Sequence, residues 1–429
     1  MAPAVAQLCV TLPRALLDPC RQDLPPGDAD GLLPVQLKLA EGRVQQILPA
    51  PQAEGAPLAL TPLVDAHVHL DKCFSWAAHP NHSGSMAGAL AANGQEAGHR
   101  SVEQVLERGE RALDQAWRYG LRALRSHVDS GGAACQASWE SLLALQHRWR
   151  GRVELQLVAL VPLAHWSTPD GVALARRVAE NGGLLGGVLG PPFSTSRSDP
   201  QQLRTLLELA GELGTGIDLH VDEGGDSAGR GVGLLLDQLD QLKPGSRGVP
   251  ITCSHGSSQK LLAERAQRQL ADRLAGHGVA VVALPSTNFW LLGRRHGLTS
   301  PLRPVAPLRV LQQAGVAVAL GGDNVQDPWF PGGDFDPLEL LRLAVPLLHL
   351  APWSRQGLMP FTSVPARLLG LPWDGVVREG CPADLVVLAA SSWAELLARS
   401  PQRRVLRAGA WVPPAPGQQP DPRLASVGA

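Results

Sequence analysis

The sequence predicts a (β/α)8 barrel of the TIM type, with a small β-sandwich domain built from both termini. Three observations carry this. Eight short apolar runs alternate with stretches of helical character from residue 63 onward, the pattern of repeated βαβ units around a parallel sheet. Ionisable residues gather at the ends of those runs. Both flanks of the 429-residue chain switch to period-two alternation.

The runs are residues 63–69, 121–129, 154–162, 183–190, 216–223, 250–255, 279–285 and 316–323. Helical patterns occupy 101–119, 136–149, 169–181, 200–213, 258–277 and 304–314 between them. In such a barrel the chemistry lies at the carboxyl ends of the strands. There the first run places His67 and His69, the second His127 and Asp129, the fifth His220 and Glu223, the sixth His255, and the eighth Asp323. In the flanks, 36–47 alternates around a Glu41-Gly42 turn, and 380–388 and 404–412 also read as strands. The predicted organisation is a composite β domain from 1–60 and 375–415, a barrel over 61–374, and a loose tail at 416–429 rich in Pro, Gly and Gln.

Composition excludes several classes. The net charge is −1 and no run of one sign occurs, so no nucleic-acid or anionic-membrane footprint is present. No apolar stretch is long enough for a membrane span, and the N-terminus lacks a basic signal-peptide region. The six cysteines are scattered without a C-x-x-C pair, which reads as free thiols in a reducing, cytoplasmic compartment. That spacing also excludes the zinc deaminases that bind metal through P-C-x-x-C.

The chemistry-bearing segments are D-A-H-V-H-L-D at 65–71, D-L-H-V-D-E-G at 218–224, T-C-S-H-G at 252–256 and A-L-G-G-D-N-V-Q-D-P-W at 319–329. Residues two apart on a strand point the same way, so His67 and His69 can face one ion. An H-x-H pair alone is a weak signal. His220 offers a third imidazole, and Asp323 offers a carboxylate after two glycines that let the backbone approach closely. Imidazoles with a carboxylate suit Zn²⁺, Fe²⁺ or Mn²⁺ without choosing among them. Glu223, three residues past His220, is placed to move protons.

Taken together, H-x-H, H-V-D-E, S-H-G and G-G-D-N-V-x-D-P-W resemble the amidohydrolase superfamily, and within it the cytosine deaminase branch. The resemblance runs from about residue 35 to 389 and includes G-C-P-A-D-L-V-V-L at 380–388. It implies one divalent metal held by His67, His69, His220 and Asp323. It implies that Glu223 carries a proton to a ring nitrogen, that His255 supports the attacking oxygen, and that Asp323 also accepts a proton. The implied reaction is hydrolytic release of ammonia from a small nitrogen heterocycle, within pyrimidine metabolism. Trp329 matches the aromatic residue beside the substrate. Two positions depart from the branch: Leu163 follows Pro162 where a glutamine is usual, and Asn324 follows Asp323 where an aspartate is usual. They leave the ring open and keep alive removal of an alkylamine or ring opening, as on an N-substituted triazine or creatinine. Lys72 reads as a salt-bridge partner and His127 as a packing residue. A bridging lysine is expected on the fourth strand of two-metal relatives, and 183–190 has none. A non-catalytic scaffold barrel is the remaining alternative, against which all four ligands and Glu223 stand. The oligomeric state is not set by the sequence.

Overall fold

Eight parallel strands follow one another in sequence order around a single sheet in the computed structural model: β1 (Leu63–Val68), β2 (Leu121–Asp129), β3 (Glu154–Leu160), β4 (Leu184–Leu189), β5 (Ile217–Val221), β6 (Ile251–His255), β7 (Ala280–Ala283) and β8 (Val318–Leu320). The structure describes residues 6–53, 55–193, 198–242, 248–295, 297–414 and 421–425. A parallel bridge between Val68 and Asp323 joins the first strand to the segment after the last, and Asp323 N donates to His67 O at 2.8 Å. The sheet thereby curls into the expected barrel.

All eight predicted runs contain a strand. The helices between them are α1 (Met86–His99), α2 (Val102–Tyr119), α3 (Ala134–Trp149), α4 (Pro169–Glu180), α5 (Ser198–Leu213), α6 (Arg230–Gln241), α7 (Glu264–Gly276), α8 (Pro285–Leu291) and α9 (Leu308–Gln313), and α10 (Pro337–Leu348) follows the last strand. Their buried residues follow helical spacing, as with Val232, Leu235, Leu236 and Leu239 in α6. Thr168 opens α4, its hydroxyl accepting from Gly171 N at 3.0 Å, an N-cap.

Two expectations needed correction. Residues 258–277 are not one helix: a 3-10 turn over Ser257–Leu261 stops at Leu262, which is extended, before α7 begins. Gln267 Nε2 donates to Leu262 O at 2.7 Å and holds that break. The eighth strand ends at Leu320, short of Asp323, because Asp323 adopts a left-handed φ of 64° that a strand does not continue through. The segment after β7 forms a short helix, α8.

The chain divides into two compact units, Met1–Val64 with Asp114–Ala123 and Phe335–Ala429, and Asp65–Leu113 with Leu124–Asp334. In the first unit, Gln7–Pro13, Leu32–Ala40 and Arg43–Pro49 form an antiparallel sheet. Its turn is at Glu41 and Gly42, both with positive φ, as a tight two-residue hairpin requires. A second sheet orders Ala410–Trp411, Arg403–Arg407, Leu385–Leu388 and Ala59–Leu60. Val10, Val35, Leu37, Ile47, Leu385, Val387 and Leu406 bury their side chains in one shared core. This is the sandwich expected from the two flanks. Most of the tail 416–429 lies outside the described residues. Its described part, 421–425, forms a short helix at Pro422–Ala425 with Leu424 buried in the same core, so that part is not loose.

Candidate active site

The inward face of β1 carries Asp65, His67 and, just past the strand, His69 at every second position. Asp65 accepts from His67 N at 3.1 Å and from Gly322 N at 3.0 Å. This pins the loop after β8 against β1. Glycine is required at 321 and 322: a Cβ on Gly322 would lie 2.9 Å from the Asp65 carboxylate, and one on Gly321 3.0 Å from the His67 backbone. Asp323 is thereby delivered to the histidines, its Oδ1 3.3 Å from His69 Nε2 and 3.6 Å from His67 Nε2.

His220 ends β5 with its ring centroid 4.7 Å from that of His67 and 5.5 Å from that of His69. His255 ends β6 and lies 4.8 Å from His220. Donor atoms of His67, His69 and Asp323 lie within 4.8 Å of one another, and so do those of His67, His220 and His255. The structure therefore brings the four expected ligands and His255 to one place, with His67 common to both groups. Asp222, His255 and Asp323 all hold left-handed backbone at the ends of β5, β6 and β8. Strained conformations of this kind persist where the surroundings fix them, and here they mark the barrel mouth.

Hydrogen bonding fixes the state of His67. Ser254 Oγ donates its one proton to Asp218 Oδ1 at 2.8 Å, so it can only accept from His67 Nδ1, 2.9 Å away. His67 Nε2 is then a lone pair facing Asp323 Oδ1, and neither atom has a hydrogen-bond partner among the described residues. Two buried acceptors facing each other at 3.6 Å repel unless a cation sits between them. Burial pushes the imidazoles of His67 and His220 far below the ordinary histidine value, and neighbouring histidines add to this. Neutral imidazole is the form that binds metal. These residues fit a divalent ion.

Beneath the histidines, a layer of polar residues fills the barrel. Arg125 on β2 donates to Asp218 Oδ2 on β5 at 2.7 Å, to Thr252 Oγ1 on β6 at 3.3 Å and to Gln156 Oε1 on β3 at 2.8 Å. This layer was not foreseen, although Arg125, Asp218 and Thr252 each sit two residues before a histidine or serine of the same strand, a period-two signal. His127 stacks on His67 with centroids 3.8 Å apart. His67, His127 and Asp218 could also group around an ion. Against that, both Asp218 oxygens already accept hydrogen bonds, and the Arg125 cation is adjacent. The geometry supports one ion rather than two.

Glu223 follows β5, its carboxylate 3.6 Å from His255 Nδ1. Burial is the main influence on its carboxyl and pushes it up, with Asp323 adding to this and His255 opposing it. The turn that carries Glu223 is anchored by Asp222, whose side chain accepts from Gly231 N at 2.7 Å and Val232 N at 3.0 Å at the start of α6. Asn288 of α8 lies 3.0 Å from His255 Nδ1 through its Oδ1, which orients the ring.

Leu163 begins a 3-10 turn after β3 and lies buried over Gly187 of β4. Asn324 is engaged within its own loop, donating to Asp327 Oδ2 at 2.8 Å, with Thr287 Oγ1 near both its N and its Oδ1. Trp329 is held by Trp329 N donating to Asp327 Oδ1 at 2.9 Å and packs beside Ala89, Leu291 and Leu292. Lys72 pairs with Asp129 at 2.7 Å, as its sequence reading expects.

Barrel and histidine cluster give a fold and a group of side chains that could hold a metal ion, and the comparisons give the chain a family of hydrolases acting on carbon–nitrogen bonds. Residues 103–412 match the model of the Amidohydrolase family, and the chain belongs to that family. It is 35% identical over 391 residues to a pterin deaminase of Rhizobium rhizogenes, covering 88% of this chain and 87% of that protein. Its fold matches a 5-methylcytosine deaminase from Klebsiella pneumoniae with a TM-score of 0.77 at 24% identity, covering 96% of this chain and 98% of that one. An N-isopropylammelide isopropylaminohydrolase from Burkholderia multivorans matches with a TM-score of 0.69 at 27% identity, covering 94% and 98%. Among the described residues no helix is long and apolar enough to cross a membrane, and all six cysteines are free thiols.

Proposed function

We propose that this chain is a metal-dependent hydrolytic deaminase of a small planar nitrogen heterocycle, of the pterin or cytosine kind. The observation that carries the reading is the pair of unpartnered acceptors, His67 Nε2 and Asp323 Oδ1, facing each other beside His69 and His220. In this reading His67, His69, His220 and Asp323 hold one divalent ion, Zn²⁺, Fe²⁺ or Mn²⁺. When bound, such an ion lowers the pKa of a coordinated water towards about 7 and supplies a nucleophile at neutral pH.

Glu223 takes a proton at its carboxylate and returns it to a ring nitrogen as oxygen adds to the amidine carbon. Its raised affinity for protons suits both halves of that task. His255, oriented by Asn288, hydrogen-bonds the incoming oxygen through Nε2. Asp323 accepts the second proton and passes it to the exocyclic nitrogen, so that the C–N bond breaks with ammonia as the leaving group and the carboxylate is restored. Leu163, Asn324 and Trp329 complete the substrate pocket, with Asn324 presented by its bond to Asp327. The 35% identity to a pterin deaminase supports a pterin as the first substrate to test. The free thiols support a reducing compartment, the cytoplasm.

A second reading has its own support. The 27% identity to an isopropylaminohydrolase, with the apolar Leu163 at the pocket, favours release of an alkylamine. Ammonia and isopropylamine are assayed from pterin, cytosine and N-isopropylammelide with the metal-loaded protein. Ammonia from pterin or cytosine supports the first reading. Isopropylamine alone supports the second and overturns the first.

A further inference from the structure

Three of the eleven tryptophans, Trp76, Trp290 and Trp329, stand in the segments that follow β1, β7 and β8, at the histidine end of the barrel. Trp290 lies on α8 three residues after Thr287, so the two share a helix face, and Thr287 meets Asn324 of the loop after β8. Trp290 and Trp329 pack on the same apolar group, Ala89, Leu291 and Leu292. Trp76 meets Trp290 edge to face, with ring centroids 6.4 Å apart. The Arg294 guanidinium lies 4.3 Å from the Trp290 ring centroid.

The indole nitrogens of both Trp290 and Trp329 are shielded from solvent and have no acceptor among the described residues. Buried tryptophans normally find a partner for that N–H, and leaving it unpaired is costly. Two such donors, one on α8 and one in the loop that follows β8, both packed on Ala89, Leu291 and Leu292, call for acceptors brought by a ligand.

We propose that Trp290 is a specificity residue which, with Trp329 and Trp76, forms an aromatic slot for the second ring of a fused bicyclic heterocycle bearing carbonyl or ring-nitrogen acceptors. This rests on the reading of the site as a heterocycle aminohydrolase. The two indole N–H groups donate to acceptors on the far ring, and the aromatic walls cover its faces. A single pyrimidine ring carries its polar atoms around the reacting carbon and has nothing to offer the slot.

The test is equilibrium binding of pterin, followed by its own fluorescence, and of cytosine, followed by calorimetry. The proteins are the metal-loaded wild type, Trp290→Phe, Trp290→Ala and, as a control, Trp353→Ala at an exposed position. Trp290→Phe keeps a ring and removes the N–H, so pterin binding weakens about tenfold. Trp290→Ala weakens it about a hundredfold. Cytosine binding stays within about twofold of wild type in both, on the same scale. In turnover, KM for pterin rises in proportion while kcat changes little, a split that a merely structural role does not produce. Unchanged pterin affinity in both Trp290 variants, equal weakening for cytosine, or failure of the wild type to bind pterin overturns the slot. Pterin binding that depends on Trp290 without ammonia release overturns the proposed reaction and leaves the slot standing.

Discussion

Replacing Arg100 by methionine removes the central cation from six buried or largely buried charges. The Arg100 side chain is fully buried. It donates to Asp71 Oδ2 at 2.8 Å, Asp129 Oδ2 at 3.0 Å and Ser138 Oγ at 3.0 Å, and also to Glu96. Arg108 holds the other Glu96 oxygen at 2.7 Å, and Lys72 holds Asp129 at 2.7 Å. Three cations thus balance three carboxylates and tie α1 to the ends of β1 and β2. The variant leaves one negative charge buried without compensation, which costs about 3–5 kcal/mol. The assay is urea unfolding followed by circular dichroism, with Asp71→Asn added to Arg100→Met. The double variant is expected to regain part of the loss, with a coupling of at least about 1 kcal/mol. The effect also has a pH sign. Burial pushes the Asp129 carboxyl up, but Lys72 and Arg100 outweigh it and hold the group well below its ordinary value of 3.8. A depressed carboxylate contributes stability above its unfolded value and loses it as pH falls towards the folded one. The gap between wild type and variant therefore narrows below pH 3.8. A loss under about 1 kcal/mol at neutral pH, or strictly additive losses in the double variant, refutes the reasoning.

Other outcomes follow from the site. Glu223→Gln keeps the metal, measured by plasma mass spectrometry, and lowers kcat by about 10²–10⁴-fold, because the general acid–base is removed and the ligands are not. Ser254→Ala frees His67 Nδ1 and weakens metal affinity by about 10–100-fold in a competitive chelator titration. His220→Asn, which removes a proposed ligand outright, weakens it further still. Equal metal affinity in all three proteins contradicts the assignment of His67 and His220 to the ion.

The barrel was legible because its strands are apolar runs ending in ionisable residues, a coincidence of pattern and position. His67, His69, His220, His255 and Asp323 were legible for the same reason, since strand ends in this architecture converge. The polar layer of Arg125, Gln156, Asp218 and Thr252 was overlooked, because inside an apolar-looking run a single charged residue reads as a surface position. Only the cross-strand bonds show that it fills the barrel. Helix α8 escaped notice because seven residues beginning with proline carry too little periodicity. The buried charge network escaped because Asp71, the Glu96–Arg100 pair and Asp129 lie well apart in sequence and only the fold brings them together. The structure places Asn324 in a loop bond to Asp327, something its motif position gave no sign of.

The most direct test of the account is ammonia release from pterin by the metal-loaded chain, before and after chelation and again after the ion is restored. The account predicts release that stops on chelation, returns with roughly one ion per chain, and is lost in Glu223→Gln with that ion still bound. A fully loaded chain that releases no ammonia from pterin or cytosine, or release that survives complete chelation, contradicts it.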